Sequence, residues 1–263
     1  MKRTLAATAA LVVVAAGATA CGAGSGVETG AALLSALSKA SDKAQQAGSA
    51  DVDARVDFGT GEVAMSGTYT WGENGDASDL MMDAAASGMT DLVSGSEVRM
   101  LLVDGAYYYN VDPQPSGPLQ GKHWMKIDAS VALGEQGASA LSSADMDPMA
   151  GLKEIKDAED VTEVGEENVL GRETTHYKAE MPVGPMGEDK NGMLGKMLDS
   201  ADTMTVELWL DAEDMPVRMK SVVGPMKMTM DYLKFGTAKK ISAPAASDTA
   251  DMTAFVKEQM QGS

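Results

Sequence analysis

Few side chains in this 263-residue sequence are of the kind that do chemistry unaided. There are two histidines, His123 in GKHWMK and His176 in TTHYK, and one cysteine, Cys21. An imidazole can act as a general base or a metal ligand, but each role needs a partner at close range. Neither histidine has a cysteine or a second histidine nearby, so no zinc-type ligand set emerges. Serine and aspartate are plentiful, yet no G-x-S-x-G elbow, S-x-x-K, G-x-G-x-x-G or phosphate loop singles one out. The carboxylates show neither an acid/base couple nor calcium-loop spacing. No catalytic residue and no metal site is assigned, and both histidines read as structural or surface groups. A third arrangement is Met226-x-Met228-x-Met230, three thioethers on one face of a strand. Soft sulfur suits Cu(I), lines an acyl chain, or packs a core. A copper site would want a histidine beside it, and the segment has none.

Cys21 has a more telling context, VVVAAGATACGAGSG at residues 12–26. Lys2 and Arg3 form a short positive region, residues 4–20 are uncharged, and Ala18-Thr19-Ala20 supplies small residues for cleavage. This is the anatomy of a secretory signal peptide over 1–20. The run is short for a transmembrane helix, which needs about 20 apolar residues. A cysteine just after the small residues resembles a bacterial lipobox, with Ala18 where leucine is commonest. Diacylglycerol on the Cys21 thiol would be the covalent lipid, and no other cofactor is expected. Each buried methylene contributes about 0.8 kcal/mol, and two acyl chains anchor stably where one does not. The expectation is export by the general secretory route and anchorage at the extracytoplasmic face of the cell membrane.

Composition narrows the partners. The chain has 21 basic and 39 acidic residues; loss of Lys2 and Arg3 with the signal peptide takes the net charge from −18 to −20. Such a chain is unsuited to nucleic acid or to an anionic bilayer by charge. Aromatic residues are 5% and methionines number 21, so methionine must fill much of the apolar volume with a flexible, adaptable side chain.

These residues need elements to hold them. Residues 21–30 read as the lipidated N-terminus and a flexible tether. Leu33, Leu34, Leu37 and Ala40 fall at helical spacing in 31–48. Period-two alternation follows: Val52, Ala54, Val56 and Phe58, then Val63, Met65, Tyr69 and Trp71, a hairpin pattern. Residues 77–86 are a weaker strand, 96–112 two strands around Asp104-Gly105, and 122–128 a short strand. Two short helices are expected in 129–160, a hairpin in 160–181, a helix in 187–201 and three strands in 203–236. The prediction is α+β: about ten antiparallel strands in meander order, forming one strongly curved sheet, a half-barrel, with a few helices covering its concave face. A single domain would span 31–252, followed by a tail at 253–263 that offers a last short helix. Trp71, Trp124 and Trp209 read as structural anchors.

Several segments together resemble a family: the lipobox, YYYNVD (107–112), GKHWMKID (121–128), VLGRETTHYKAEM (169–181), VELWLDAEDMPVRM (206–219) and APAASDTADM (243–252). In order they are similar to actinobacterial lipoproteins of the LppX/LprG group, within the LolA/LolB-like superfamily, of a Streptomyces-type organism. The resemblance implies a curved sheet plugged by helices, holding a lipid or acyl chain in an apolar cavity for carriage between membrane and envelope, without catalysis. The lining set read from strand alternation is Met65, Tyr69, Met100, Leu102, Leu208, Met226, Met228 and Met230. A one-residue register slip would turn any of them to the other face. The partners expected are membrane lipid through the anchor, a lipid ligand and an envelope protein. The alternative is a closed-cored envelope interaction module, acting through loops 113–121 and 182–192. An extracellular hydrolase is the third reading and lacks a nucleophile–base set.

Overall fold

The computed structural model describes residues 25–59, 61–131, 161–182, 201, 203–238 and 240–261. Cys21, the signal peptide and most of the segments 129–160, 182–192 and 187–201, where two helices, a loop and a further helix are expected, lie outside the described residues; residues 129–131 are helical.

Helix α1 (Ser25–Ala47) begins six residues before its apolar pattern does, so 25–30, expected as tether, is helical. Twelve strands follow: β1 (Ser49–Asp57), β2 (Glu62–Thr70), β3 (Ala77–Asp83), β4 (Glu97–Val103), β5 (Ala106–Asn110), β6 (Trp124–Asp128), β7 (Val161–Val169), β8 (Arg172–Pro182), β9 (Thr203–Asp211), β10 (Pro216–Val223), β11 (Met226–Phe235) and β12 (Thr249–Asp251). Helix α2 (Thr253–Gln261) ends the described chain.

All twelve strands form one sheet in the order β12-β6-β5-β4-β3-β2-β1-β11-β10-β9-β8-β7. It stays open, with β12 and β7 as edges, as a half-barrel requires. Two antiparallel meanders, β1 to β6 and β7 to β11, are joined where β1 pairs with β11. Turn chemistry fixes the hairpins. Asp104-Gly105 and Leu170-Gly171 both have positive φ at each central residue, the twist-matched type for two-residue turns. At Gly224-Pro225 only the glycine does, with φ +54°.

Among the described residues the strands number twelve, where about ten were expected. β12 was not foreseen, because three residues are too few to show alternation; it pairs in parallel with β6. The last short helix of the tail forms as α2 and is docked: the Asp128 amide donates to Thr253 Oγ1 at 3.1 Å, and Val256 packs against Met252 and its neighbours.

One face of the sheet carries the main core. Leu37, Ala40 and Ala44 of α1 are fully buried there with Ala50, Val52 and Ala54 of β1. Trp71 is also fully buried, and its Nε1–H donates to the Ala44 carbonyl at 3.0 Å. That carbonyl belongs to the last turn of α1, where backbone acceptors lack helical partners. Lys43 reaches the β9–β10 turn through Asp214 (3.2 Å) and the Glu213 carbonyl. The β3–β4 connection supplies Met89 and Val93 to the same face. The opposite face is covered over β3–β6, where Ala77, Leu101, Val103, Ala106 and Tyr108 pack with Ile241.

Gly67 sets how closely β2 and β3 approach. Its φ is +153°, and an added Cβ would lie 2.1 Å from the Asp79 carbonyl oxygen. Gly67→Ala is expected to lower stability by more than about 2 kcal/mol, because backbone rather than a flexible side chain must move. Urea unfolding followed by circular dichroism checks this; an unchanged midpoint would refute the close approach.

Candidate functional site

Directly paired residues of neighbouring strands share a face, so the register settles which side chains meet. One row crosses eight strands: Val98, Met82, Met65, Ala54, Met230, Met219, Leu208 and Tyr177. A second runs Tyr107, Leu102, Ser78, Tyr69 and Ala50. Met100 pairs with Leu80 and Tyr109, Met228 with Val56 and Ser221, and Met226 with Val223. The parity of every strand therefore puts Met65, Tyr69, Met100, Leu102, Leu208, Met226, Met228 and Met230 on the face that α1 covers. Met100, Leu102, Leu208 and Met230 are buried, whereas Met65, Tyr69, Met226 and Met228 are half-buried.

Charge is partitioned between the faces. In β1–β11 every lysine and arginine (Arg55, Arg99, Lys126, Arg172, Lys178, Arg218, Lys220, Lys227 and Lys234) falls on the face away from α1. Arg99 pairs there with Asp79 (2.8 and 2.6 Å) and Arg218 with Asp231 (2.5 and 2.7 Å). The α1 face holds phenols instead. Tyr107 and Tyr109 stack at 6.2 Å, while Tyr108 between them points to the other face, as alternation demands. Burial pushes the Tyr69 and Tyr107 phenols up to about 12 and raises Tyr109, because an ionised phenol would be desolvated there. Ser78 lies between Tyr69 and Leu102; its hydroxyl is buried and has no hydrogen-bond partner. Such a group costs about 1–3 kcal/mol in a closed apolar core.

The histidines occupy other places. His123 precedes β6 by one residue rather than lying in it, and its Nδ1 meets Asp248 at 2.7 Å, fastening the C-terminal segment to β6. His176 lies on the face away from α1, stacked on its cross-strand partner Trp209 at 4.1 Å. Its Nδ1 is 3.1 Å from Glu167 and its Nε2 2.9 Å from Glu207. Trp209 Nε1–H donates to the same Glu167, and Lys220 sits 4.9 Å above the indole. With both ring nitrogens held by carboxylates, this imidazole has no nitrogen free to activate a nucleophile. The cluster was invisible in the sequence, since only the β8–β9 register brings residues 176 and 209 together. Among the described residues no group of three or more His, Cys, Asp or Glu could hold a metal ion. No described helix is long and apolar enough to cross a membrane.

Because the unfolded chain releases tyrosine protons near pH 10 and the folded Tyr69 and Tyr107 near 12, stability is full below about pH 10 and falls as pH rises from about 10 to about 12. Tyr69→Phe and Tyr107→Phe should each flatten that decline. Near-ultraviolet tyrosinate absorbance, combined with urea midpoints across the range, checks the assignment.

Comparison with known proteins places this geometry. No family model matches the sequence. The chain is 28% identical over 213 residues to an uncharacterized 31.2 kDa protein of the rplA–rplJ intergenic region of Streptomyces griseus, covering 74% of this chain and 66% of that one. It is 29% identical over 162 residues to a Streptomyces coelicolor protein provisionally named a lipoprotein, covering 59% and 51%. The matches thus span about two thirds and about half of these relatives' lengths. Among solved structures, the Mycobacterium tuberculosis lipoprotein LppX superposes with a TM-score of 0.51 at 14% identity, covering 81% of this chain and 99% of that one. In fold the chain is LppX/LprG-like, and its similarity in sequence is to Streptomyces proteins.

Proposed function

We propose that this protein is a lipid-anchored lipoprotein of the extracytoplasmic membrane face that binds a lipid acyl chain against the α1-covered face of its sheet. The observation that carries the reading is the segregation of that face: methionine, leucine and phenol side chains across eight strands, with every basic strand residue on the other side. Burial of apolar surface contributes roughly 25 cal/mol per Å², so an acyl chain laid along these rows gains affinity without any directional contact. Flexible thioethers at Met65, Met226 and Met228 adapt to a chain of varied shape. The lipobox at Cys21 supports anchorage, and export by the general secretory route follows from the signal peptide. Carriage between membrane and envelope is the role proposed, by analogy of fold. The protein performs no catalysis in this reading, in keeping with the occupied nitrogens of His176.

The competing reading is a closed-cored interaction module of the envelope. It draws on Leu37, Ala40 and Ala44, which already fill part of the same face.

Two measurements separate these readings. Cys21→Ala should abolish metabolic labelling by fatty acid and release the protein from the membrane fraction; unaltered labelling would refute the anchor. The full chain bearing Cys21→Ala, prepared without detergent, should retain a stoichiometric lipid by mass spectrometry. Adding Met65→Gln and Met228→Gln is expected to reduce that lipid at least about tenfold, with a change in unfolding stability under about 2 kcal/mol because both side chains are only half-buried. A well-folded chain that holds no lipid would favour the interaction module.

A further inference from the structure

The α1 face is not uniformly apolar. In the row Tyr107–Leu102–Ser78–Tyr69, three hydroxyl-bearing side chains sit on neighbouring or next-neighbouring strands. The Ser78 side chain is 1% exposed and its hydroxyl has no partner. Buried hydroxyls are almost always hydrogen-bonded, so one left without a partner on this face needs a reason. Tyr69 and Tyr107 remain half-buried beside it, and burial keeps both phenols protonated far above neutral pH, hence as O–H donors. No lysine or arginine of β1–β11 shares the face, so no basic strand side chain would neutralise an anion taken out of water there.

We infer that Ser78, Tyr69 and Tyr107 form an uncharged hydrogen-bonding subsite that recognises the ester carbonyl of an acyl lipid. The inference rests on the lipid-binding reading above and refines it from a chain of unspecified chemistry to an uncharged acyl ester. The carbonyl oxygen accepts from the hydroxyls, and the hydrocarbon runs onward over the methionine rows. A plain hydrocarbon leaves Ser78 unpaired. A fatty carboxylate must give up its hydration with no basic strand side chain to meet it.

The test offers the full chain bearing Cys21→Ala an equimolar mixture of methyl hexadecanoate, octadecane and hexadecanoate in aqueous suspension. Bound species are counted by mass spectrometry after gel filtration. The expected result is an ester-to-hydrocarbon ratio about tenfold above that of Ser78→Ala, with octadecane bound equally by both proteins. Ser78→Ala removes only an unpaired hydroxyl and should fold; Tyr107→Phe, which should also lower the ratio, provides the same readout if it does not. An ester preference unchanged in both variants, or hexadecanoate bound as well as its ester, overturns the subsite while leaving lipid binding intact. A wild-type protein that takes up none of the three overturns the lipid-binding reading and the subsite with it.

Discussion

The pairing of β1 with β11 is the constraint on which the other features depend. Without it the chain is two separate meanders, each with an unsatisfied edge; with it they become a continuous twelve-stranded sheet. The composition of β1 suits this central place. Its inward residues Ala50, Val52 and Ala54 are small and buried, and its outward residues include Asp51 and Asp53. Small side chains at the seam let α1 lie close to the backbone and let larger groups converge from both sides, Met65 and Tyr69 from β2, Met230 and Tyr232 from β11. Trp71 and Phe235, edge to face at 6.5 Å, close one end of the seam beneath the last turn of α1.

The same alternation that builds the seam separates charge from apolarity. The basic strand residues fall on one side, where Arg99, Lys126, Arg172 and Arg218 find carboxylates on neighbouring strands. The Arg218–Asp231 pair is forked, and Asp231 is buried, so its hydrogen bonds are worth more than those of an exposed ion pair. His176, Trp209 and Lys220 form a stacked column on that side, braced by Glu167 and Glu207. This face is not simply solvated: Ile241 and Trp124 pack on the cluster of Ala77, Leu101, Val103, Ala106 and Tyr108, which explains why Tyr108 is buried even though its ring points away from α1. A sheet buried on both sides in one half and polar on its outer side in the other is an asymmetric platform, and the phenol-bearing row lies in the doubly covered half.

Much of this was legible from period-two alternation. The β1–β2 hairpin, the Asp104-Gly105 turn and the three strands of 203–236 were readable because one face of each is apolar. The pairing register puts the eight lining candidates on the face that α1 covers. What was not legible depends on partners distant in sequence. The β12 segment has too few residues to show a pattern. The start of α1 at Ser25 lies in glycine-rich sequence that reads as flexible. The solitary Ser78 hydroxyl and the His176–Trp209 stack are products of register and packing, and a serine in a weak strand or a histidine between threonines carries no local sign of either.

The edges of the sheet differ in a way that bears on how the molecule is assembled in time. At one edge β7 is strongly acidic and is interrupted by an irregularity near Gly165, both of which discourage a further strand from adding there. At the other edge β12, three residues near the C-terminus, lies alongside β6, more than a hundred residues earlier, and α2 and the His123–Asp248 contact fasten it. A chain that emerges N-terminus first therefore exposes the flank of β6 until residues 249–251 have been made. During that interval the early meander presents an unpaired edge that any extended peptide, including a second copy of the chain, could occupy. The brevity of β12 and its clasp of side-chain contacts make residues 248–253 an intramolecular cover for the first half of the fold, and they make loss of that segment a route to association rather than to simple loss of structure.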